Sequence, residues 1–316
     1  LFAKTQRNNL TQGTAVVPKK KDLVRRIIQY KYFYLMFLPV FIFTIVFNYI
    51  PMAGIRFAFY KYNPFAPPKF IGWENFKTLL VNPKFIAAFK NTITLSIVNL
   101  VLGMLVSIIF ALLLNELYNK YFKSFVQTVL YLPHFISWVV TASIFYLILS
   151  PTDGFINQIL GFFGIEPIYF MIEEKWWTPI YYFINRWKET GWGTIIYLAA
   201  LSGINPELYE AAVIDGAGRL KQTWYVTIPG IMSTILVVFI LNLAKVMNIF
   251  ESVFVLQNPM VLNVSEVIRT YNYKVGLLQS DYGYSTAVGL FNSVISMVLV
   301  IIADKASQKI KGSGIL

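Results

Sequence analysis

The sequence has no cysteine and a single histidine. The first absence excludes disulfides and thiolate metal sites outright. The second leaves little from which an imidazole metal centre or catalytic cluster could be built. No glycine-rich phosphate loop of the GxxxxGK[ST] kind occurs, so the chain is not expected to bind or hydrolyse ATP by itself. Charge is scarce too: Asp, Glu, Lys and Arg make up 13% of the residues, where soluble domains carry roughly a quarter. The few carboxylates are scattered through loops. His134, in Tyr131-Leu132-Pro133-His134, has no second histidine and no convincing nucleophile beside it, so a helix-packing or interfacial role is expected for it. No metal site and no enzyme constellation emerges.

What is abundant is apolar length. Of 316 residues, 57% are hydrophobic and 17% aromatic. Six apolar runs, 32–49, 91–114, 125–149, 179–201, 228–250 and 285–303, come near or exceed the ~20 residues needed to cross a hydrocarbon core at ~1.5 Å per residue. Backbone groups in lipid must pair internally, so such runs predict helices, and the alternating ten-residue pattern of barrel strands is absent. The predicted fold is an all-α integral membrane protein with about six transmembrane helices, preceded by a tail over 1–31 and followed by one over 304–316. The first run begins some thirty residues in, is too long for a cleaved signal peptide, and is followed by Asn48-Tyr49-Ile50-Pro51, not by a small-residue cleavage site.

Net charge is +12, from 27 basic and 15 acidic residues. Much of the excess flanks the apolar runs, where anionic headgroups attract it, so nucleic-acid binding is not expected. Lys19, Lys20, Lys21, Arg25 and Arg26 precede the first run and place the N-terminus in the cytoplasm by the positive-inside rule. Lys120, Lys123, Arg219, Lys221, Lys305, Lys309 and Lys311 then fall on the same side, with the C-terminus, and the acidic loop 150–178 outside. One segment disagrees: the outside loop 51–90 carries Arg56, Lys61, Lys69, Lys77, Lys84 and Lys90.

The most specific stretch is the connection 202–227 between the fourth and fifth runs. It contains Asn205-Pro206-Glu207-Leu208-Tyr209-Glu210-Ala211-Ala212-Val213-Ile214-Asp215-Gly216-Ala217-Gly218-Arg219 and ends at Ile228-Pro229. Pro206 suits a first helical turn, and Glu207 and Glu210 favour the positive end of a helix. Ala211 and Ala212 give a small-residue surface, and Gly216 and Gly218 permit a sharp reversal into a second short helix over about 219–225. Two short helices with a tight elbow make a docking knob.

This stretch closely resembles the Glu-Ala-Ala loop of the permease subunits of ABC importers, in which Glu-Ala-Ala, three residues, Gly, about nine residues, a hydrophobic residue and Pro recur. Tyr209 and Asp215, with Tyr197-Leu198-Ala199-Ala200-Leu201 upstream, resemble the carbohydrate-importing branch. So do Pro51-Met52-x-Gly54, Gly72-x-x-Asn75-Phe76, Asn91-Thr92 and the segment Leu132 to Val139; together they look like the lipoprotein/polysaccharide-type oligosaccharide permeases of bacteria. Many relatives have Ile or Leu, then Leu, before the closing Pro, where this chain has Thr227-Ile228. The resemblance implies a type I importer architecture in the bacterial cell membrane, with Glu210, Ala211, Ala212, Asp215, Gly216, Ala217 and Arg219 forming a coupling helix. It implies a second permease, two ATP-binding subunits that hold ATP and Mg, an extracellular solute-binding protein and an oligosaccharide substrate. Import of another polar solute such as a peptide or amino acid is the alternative within transport, and a multi-span receptor the alternative outside it.

Charged residues inside spans are costly and mark candidate pathways. The fourth run carries Asn185, Lys188, Glu189 and Trp192 on one helical face, with Arg186 and Trp187 beside it; the fifth carries Asn242, Lys245 and Asn248 at intervals of three. Polar and aromatic groups together suit a sugar. Arg186 could instead lie near the outer interface, and Lys245 could pair with a carboxylate of the partner permease. An excess of cation over anion, opposed within the spans only by Glu189, raises the expectation of a uronate-containing substrate.

Overall fold

A computed structural model describes residues 28–64 and 66–311. The basic cluster Lys19 to Arg26 lies outside them. The chain divides into two units, residues 1–55 and 56–316. The first contains α1 (Lys31–Thr44), which runs on through a π turn (Ile45–Tyr49) and a short turn (Ile50–Met52) and buries none of its residues. A helix apolar on every side has lipid or another subunit as its solvent.

The second unit begins with a feature absent from the predicted all-helical plan, a hairpin of β1 (Tyr60–Asn63) and β2 (Ala66–Phe70), paired Tyr60 to Phe70 and Lys61 to Lys69. Helix α2 (Glu74–Val81) leads to α3 (Pro83–Asn115), whose first turn is capped by Asn82 through Lys84 N at 3.0 Å. At 33 residues α3 is about 50 Å long. It begins some eight residues before the predicted run. Its exposed stripe is Ile97, Val101, Leu105, Ile109 and Leu113, one residue every four, the side of the helix turned away from the rest of the described residues. The buried side carries small and polar residues: Ala88, Thr92, Ser96, Ser107 and Ala111.

The third predicted span is not one straight helix. α4 (Lys120–Tyr131) passes through a 3₁₀ turn (Leu132–Phe135) and meets α5 (Trp138–Ile148) at 103°. Pro133 removes an amide donor, and the extended backbone at Ile136 and Ser137 lets Ser137 cap α5 through Val140 N. Short α6 (Phe155–Phe162) precedes α7 (Glu174–Leu201), the central helix, packed along α3. Gly193 meets Ser107 there, and Thr194 Oγ1 donates to Ser107 O at 3.4 Å, a small-residue contact typical of membrane helices.

After the elbow α8 (Glu207–Ile214), helix α9 (Arg219–Gln222) does not stop before the fifth span as the sequence suggests. It continues through a π turn (Thr223–Thr227) into α10 (Ile228–Leu243), with Pro229 directly after the π turn. Then follow α11 (Glu251–Leu256), α12 (Leu262–Ser265), α13 (Ile268–Tyr273) and α14 (Tyr282–Lys311). Four helices among the described residues are long and apolar enough to span a membrane, and the broken pair α4–α5 makes a fifth. The remaining predicted span, α7, is long enough at 28 residues but carries Arg186, Lys188 and Glu189 at its middle.

Candidate functional site

Two regions carry the residues singled out above. The first is a cavity of about 570 Å³ walled by α3, the α4–α5 turn, α7 and the end of α10. Six of the nine pathway candidates line it: Asn185, Arg186, Glu189 and Trp192 from α7, and Asn242 and Lys245 from the fifth span. Asn185, Glu189 and Trp192 recur at intervals of four and three, so the period of α7 alone brings them to one wall.

The other three are elsewhere. Lys188 is 4% exposed, and its ammonium donates to three backbone oxygens of the α4–α5 turn: Pro133 at 3.3 Å, His134 at 3.0 Å, and Ile136. It also lies 5.4 Å from the centre of the Trp138 ring. Pro133 O also accepts from Ile136 N at 3.2 Å, while the His134 and Ile136 carbonyls rely on the buried ammonium, without which each would be left unpaired at about 1–3 kcal/mol. Its contacts are those of a structural clamp. Trp187 packs edge-on against Phe145, with ring centres 5.3 Å apart. Asn248 lies beyond the end of α10, where the helical period no longer applies; its Oδ1 accepts from Arg269 at 2.9 Å and from Asn292 at 3.5 Å. Lys245 is likewise not mid-helix but just past Leu243, at the start of the 3₁₀ turn Val246–Asn248, where the partial negative charge of a helix end favours a cation.

The cavity holds residues that the linear pattern did not mark. His134 is one: its Nδ1 lies 3.1 Å from Glu189 Oε2, and its ring stacks on Trp192 at 4.8 Å and 9°. His134 thus packs the α4–α5 turn against α7, as the sequence led one to expect, and in addition lines the cavity. Asn99 is another, with Oδ1 accepting from Arg186 Nη2 at 2.8 Å. Polar Asn99 inside an uncharged span was the available signal. With Glu189 held by His134, neither Arg186 nor Lys245 has a carboxylate within ion-pair distance among the described residues.

The second region is the elbow. Glu207 and Glu210 stand in the first turn of α8, and Asn205 Oδ1 accepts from Glu207 N at 3.1 Å. The helix ends in a Schellman motif: Gly216 N donates to Val213 O at 3.0 Å and Ala217 N to Ala212 O at 2.8 Å. Gly216 takes φ +76, the left-handed value the motif demands at that position. The interval from Ala212 to Gly216 is thus the interval from the last full helical turn to its left-handed stop. Gly218, by contrast, is ordinary extended backbone. Gln222 Nε2 donates to Ala217 O at 2.8 Å, and Arg219 reaches Glu116, just past α3, at 3.6 Å. Glu210, Ala211, Asp215 and Arg219 are exposed, as are Val213, Ile214, Leu220, Trp224 and Tyr225, leaving an apolar knob unpartnered among the described residues.

Residues 99–312 match the family described as the binding-protein-dependent transport system inner membrane component. The chain belongs to this family. It is a multi-pass permease, and the family is one of transport proteins, not of enzymes. It is similar to the polygalacturonan/rhamnogalacturonan transport system permease protein YteP of Bacillus subtilis, with 43% identity over 94% of each chain. Among solved structures it resembles a chain of a bacterial ABC transporter involved in the import of the acidic polysaccharide alginate. That match has a TM-score of 0.85 and 39% identity, covering 92% of this chain and 99% of the other. A second structure of a bacterial alginate transporter, in complex with an alginate pentasaccharide-bound periplasmic protein, matches at a TM-score of 0.86 over 93% and 99% of the two chains.

Proposed function

We propose that this chain is one half of the heterodimeric pore of an ATP-driven importer of acidic oligosaccharides, fed by an extracellular solute-binding protein. The observation that carries the substrate class is the charge of the cavity: two cations, Arg186 and Lys245, face it without a carboxylate partner, while Glu189 is held by His134. A cation within a span costs roughly 2.5–3.5 kcal/mol on insertion scales unless it meets water or an anion. A uronate supplies that anion. The stacked His134 and Trp192 rings, with Trp138, offer flat faces to a sugar ring, and Asn185 and Asn242 offer hydroxyl partners.

The elbow around Gly216 docks on one of two ATP-binding subunits, which hold ATP and Mg, and a second permease completes the pore. Closure of the ATP-binding pair pushes the knob and, through the unbroken run from α9 into α10, rocks the cavity wall between inward and outward openings. Docking there sets the topology: elbow, N-terminus and C-terminus in the cytoplasm, and the hairpin Tyr60–Phe70 outside. The test is transport by the complete complex in proteoliposomes, comparing an acidic glycan with a neutral one of equal length. The acidic glycan is expected to enter faster, and Lys245→Met to lower that advantage. Equal rates for both glycans in the wild type would overturn the acidic reading and leave the permease assignment standing.

A further inference from the structure

Of the two cavity cations, Arg186 has the built seat. Its guanidinium lies between α7 and α3, where Asn99 Oδ1 accepts from Nη2 at 2.8 Å. One turn further along α3, Gly103 leaves room for the head: a Cβ built there would overlap Nη1 and crowd the rest of the guanidinium. Nε is buried without an acceptor. The nearest carboxylate on α7, Glu189, is turned to His134, and Lys188 is committed to the α4–α5 turn. The fork is thus fixed by one neutral acceptor and a missing side chain, with no carboxylate within ion-pair distance among the described residues. Lys245 is different: it is exposed, its side chain has no hydrogen-bond or ion-pair partner among the described residues, and an ammonium offers a point charge without a fork.

We propose that this slot, Arg186 seated between Asn99 and Gly103, is a carboxylate-binding subsite of the cavity, and that it is the principal determinant of preference for charged over neutral glycans. The inference rests on the proposed import of acidic oligosaccharides. A planar guanidinium held in place offers a carboxylate two parallel donors, which an ammonium does not. Asn99 acts as a positioning residue that keeps the head toward α3 and away from Glu189. Gly103 matters only through the volume it does not occupy.

The test uses the reconstituted complex with its ATP-binding subunits and saturating loaded binding protein, and reads the ratio of acidic to neutral glycan transport at equal length. Gly103→Ala displaces the head without removing charge; Arg186→Lys keeps charge without the fork. Each is expected to lower the ratio about tenfold, the factor that corresponds to ~1.4 kcal/mol. The double variant is expected to be no worse than Arg186→Lys alone, because both changes act on one contact. A ratio unchanged in all three variants, or both glycans slowed equally, would overturn the slot while the wild-type preference upholds the acidic reading. A wild type with no preference removes that reading and the slot with it. If Gly103→Ala fails to assemble, Arg186→Lys carries the test alone.

Discussion

Glycine is used in opposite ways in the elbow and in the cavity wall. Gly216 has no atom within 4 Å of where a Cβ would stand, so space does not require it; its φ of +76 does. At Gly191, in α7, an added Cβ would overlap the carbonyl of Leu130 at the end of α4, and at Gly103 and Gly193 it would meet Arg186 and Ser107. The elbow needs a conformation, the wall needs contact. Substitutions that change one requirement without the other test this difference.

The largest effect is expected at Gly191, because the neighbour is backbone and cannot rotate away. Gly191→Ala should push α4 off α7 and destabilise the fold by about 3 kcal/mol, at the upper end of overpacking costs. It should show as a lowered melting temperature of the detergent-solubilised complex. An unchanged melting point would mean that α4 and α7 are not in backbone contact. Next is Lys188→Met, which keeps the stem and removes the clamp on Pro133, His134 and Ile136. Leaving the His134 and Ile136 carbonyls unpaired should cost roughly 2–3 kcal/mol and free the His134 turn, so transport falls for acidic and neutral glycans alike. A selective loss of acidic transport would instead place Lys188 in the pathway.

The same contrast explains how much could be read from sequence. The elbow was legible because it is local: Glu207 at the helix start and Gly216 four residues after Ala212 are requirements within one helix and its stop. The spans were legible because lipid demands long apolar runs, although Pro133 gave no measure of a 103° bend. Half the cavity wall was legible, since Asn185, Glu189 and Trp192 follow one helical period. The rest depends on pairs far apart in sequence. Lys188 meets carbonyls some fifty residues away, Asn99 meets Arg186 from 87 residues away, and His134 meets Glu189 across 55. Several motif residues quoted for the resemblance are fasteners of this long-range kind. Asn75 Nδ2 donates to Ala58 O at 2.8 Å, Asn91 Nδ2 to Asn263 O at 2.8 Å, and Thr92 Oγ1 accepts from Ile268 N at 2.9 Å. Nothing in their local sequence says what they fasten.

A smaller effect is expected at the elbow. Gly216→Val puts a β-branched residue at positive φ and should cost roughly 1–2 kcal/mol; Gly216→Asn, whose side chain tolerates that region, should cost less. Because nothing surrounds the Cβ, size should not matter and backbone preference should. Co-purification of the ATP-binding subunits and glycan-stimulated ATP hydrolysis should therefore fall for Val and largely survive for Asn. Equal loss with both would mean that bulk, not φ, is what the elbow excludes, and that its partner approaches within contact of Gly216.

The smallest effect on stability is expected from the strut between the elbow and α3. Arg219 Nη1 lies 3.6 Å from Glu116 Oε2, and the two side chains are 75% and 56% exposed. An ion pair this open contributes at most about 0.5 kcal/mol and is screened by salt, so Glu116→Gln should leave the melting temperature almost unchanged. Arg219 nevertheless belongs to the segment proposed to meet the ATP-binding subunit. If its charge serves that docking, Arg219→Ala should weaken glycan-stimulated ATP hydrolysis several-fold while Glu116→Gln does not, and the loss should deepen as salt is lowered, where the wild type gains most from the contact. If the charge serves only the strut, the two variants should behave alike. Equal and small effects from both would remove Arg219 from the coupling surface and leave docking to the apolar knob of Val213, Ile214 and Leu220.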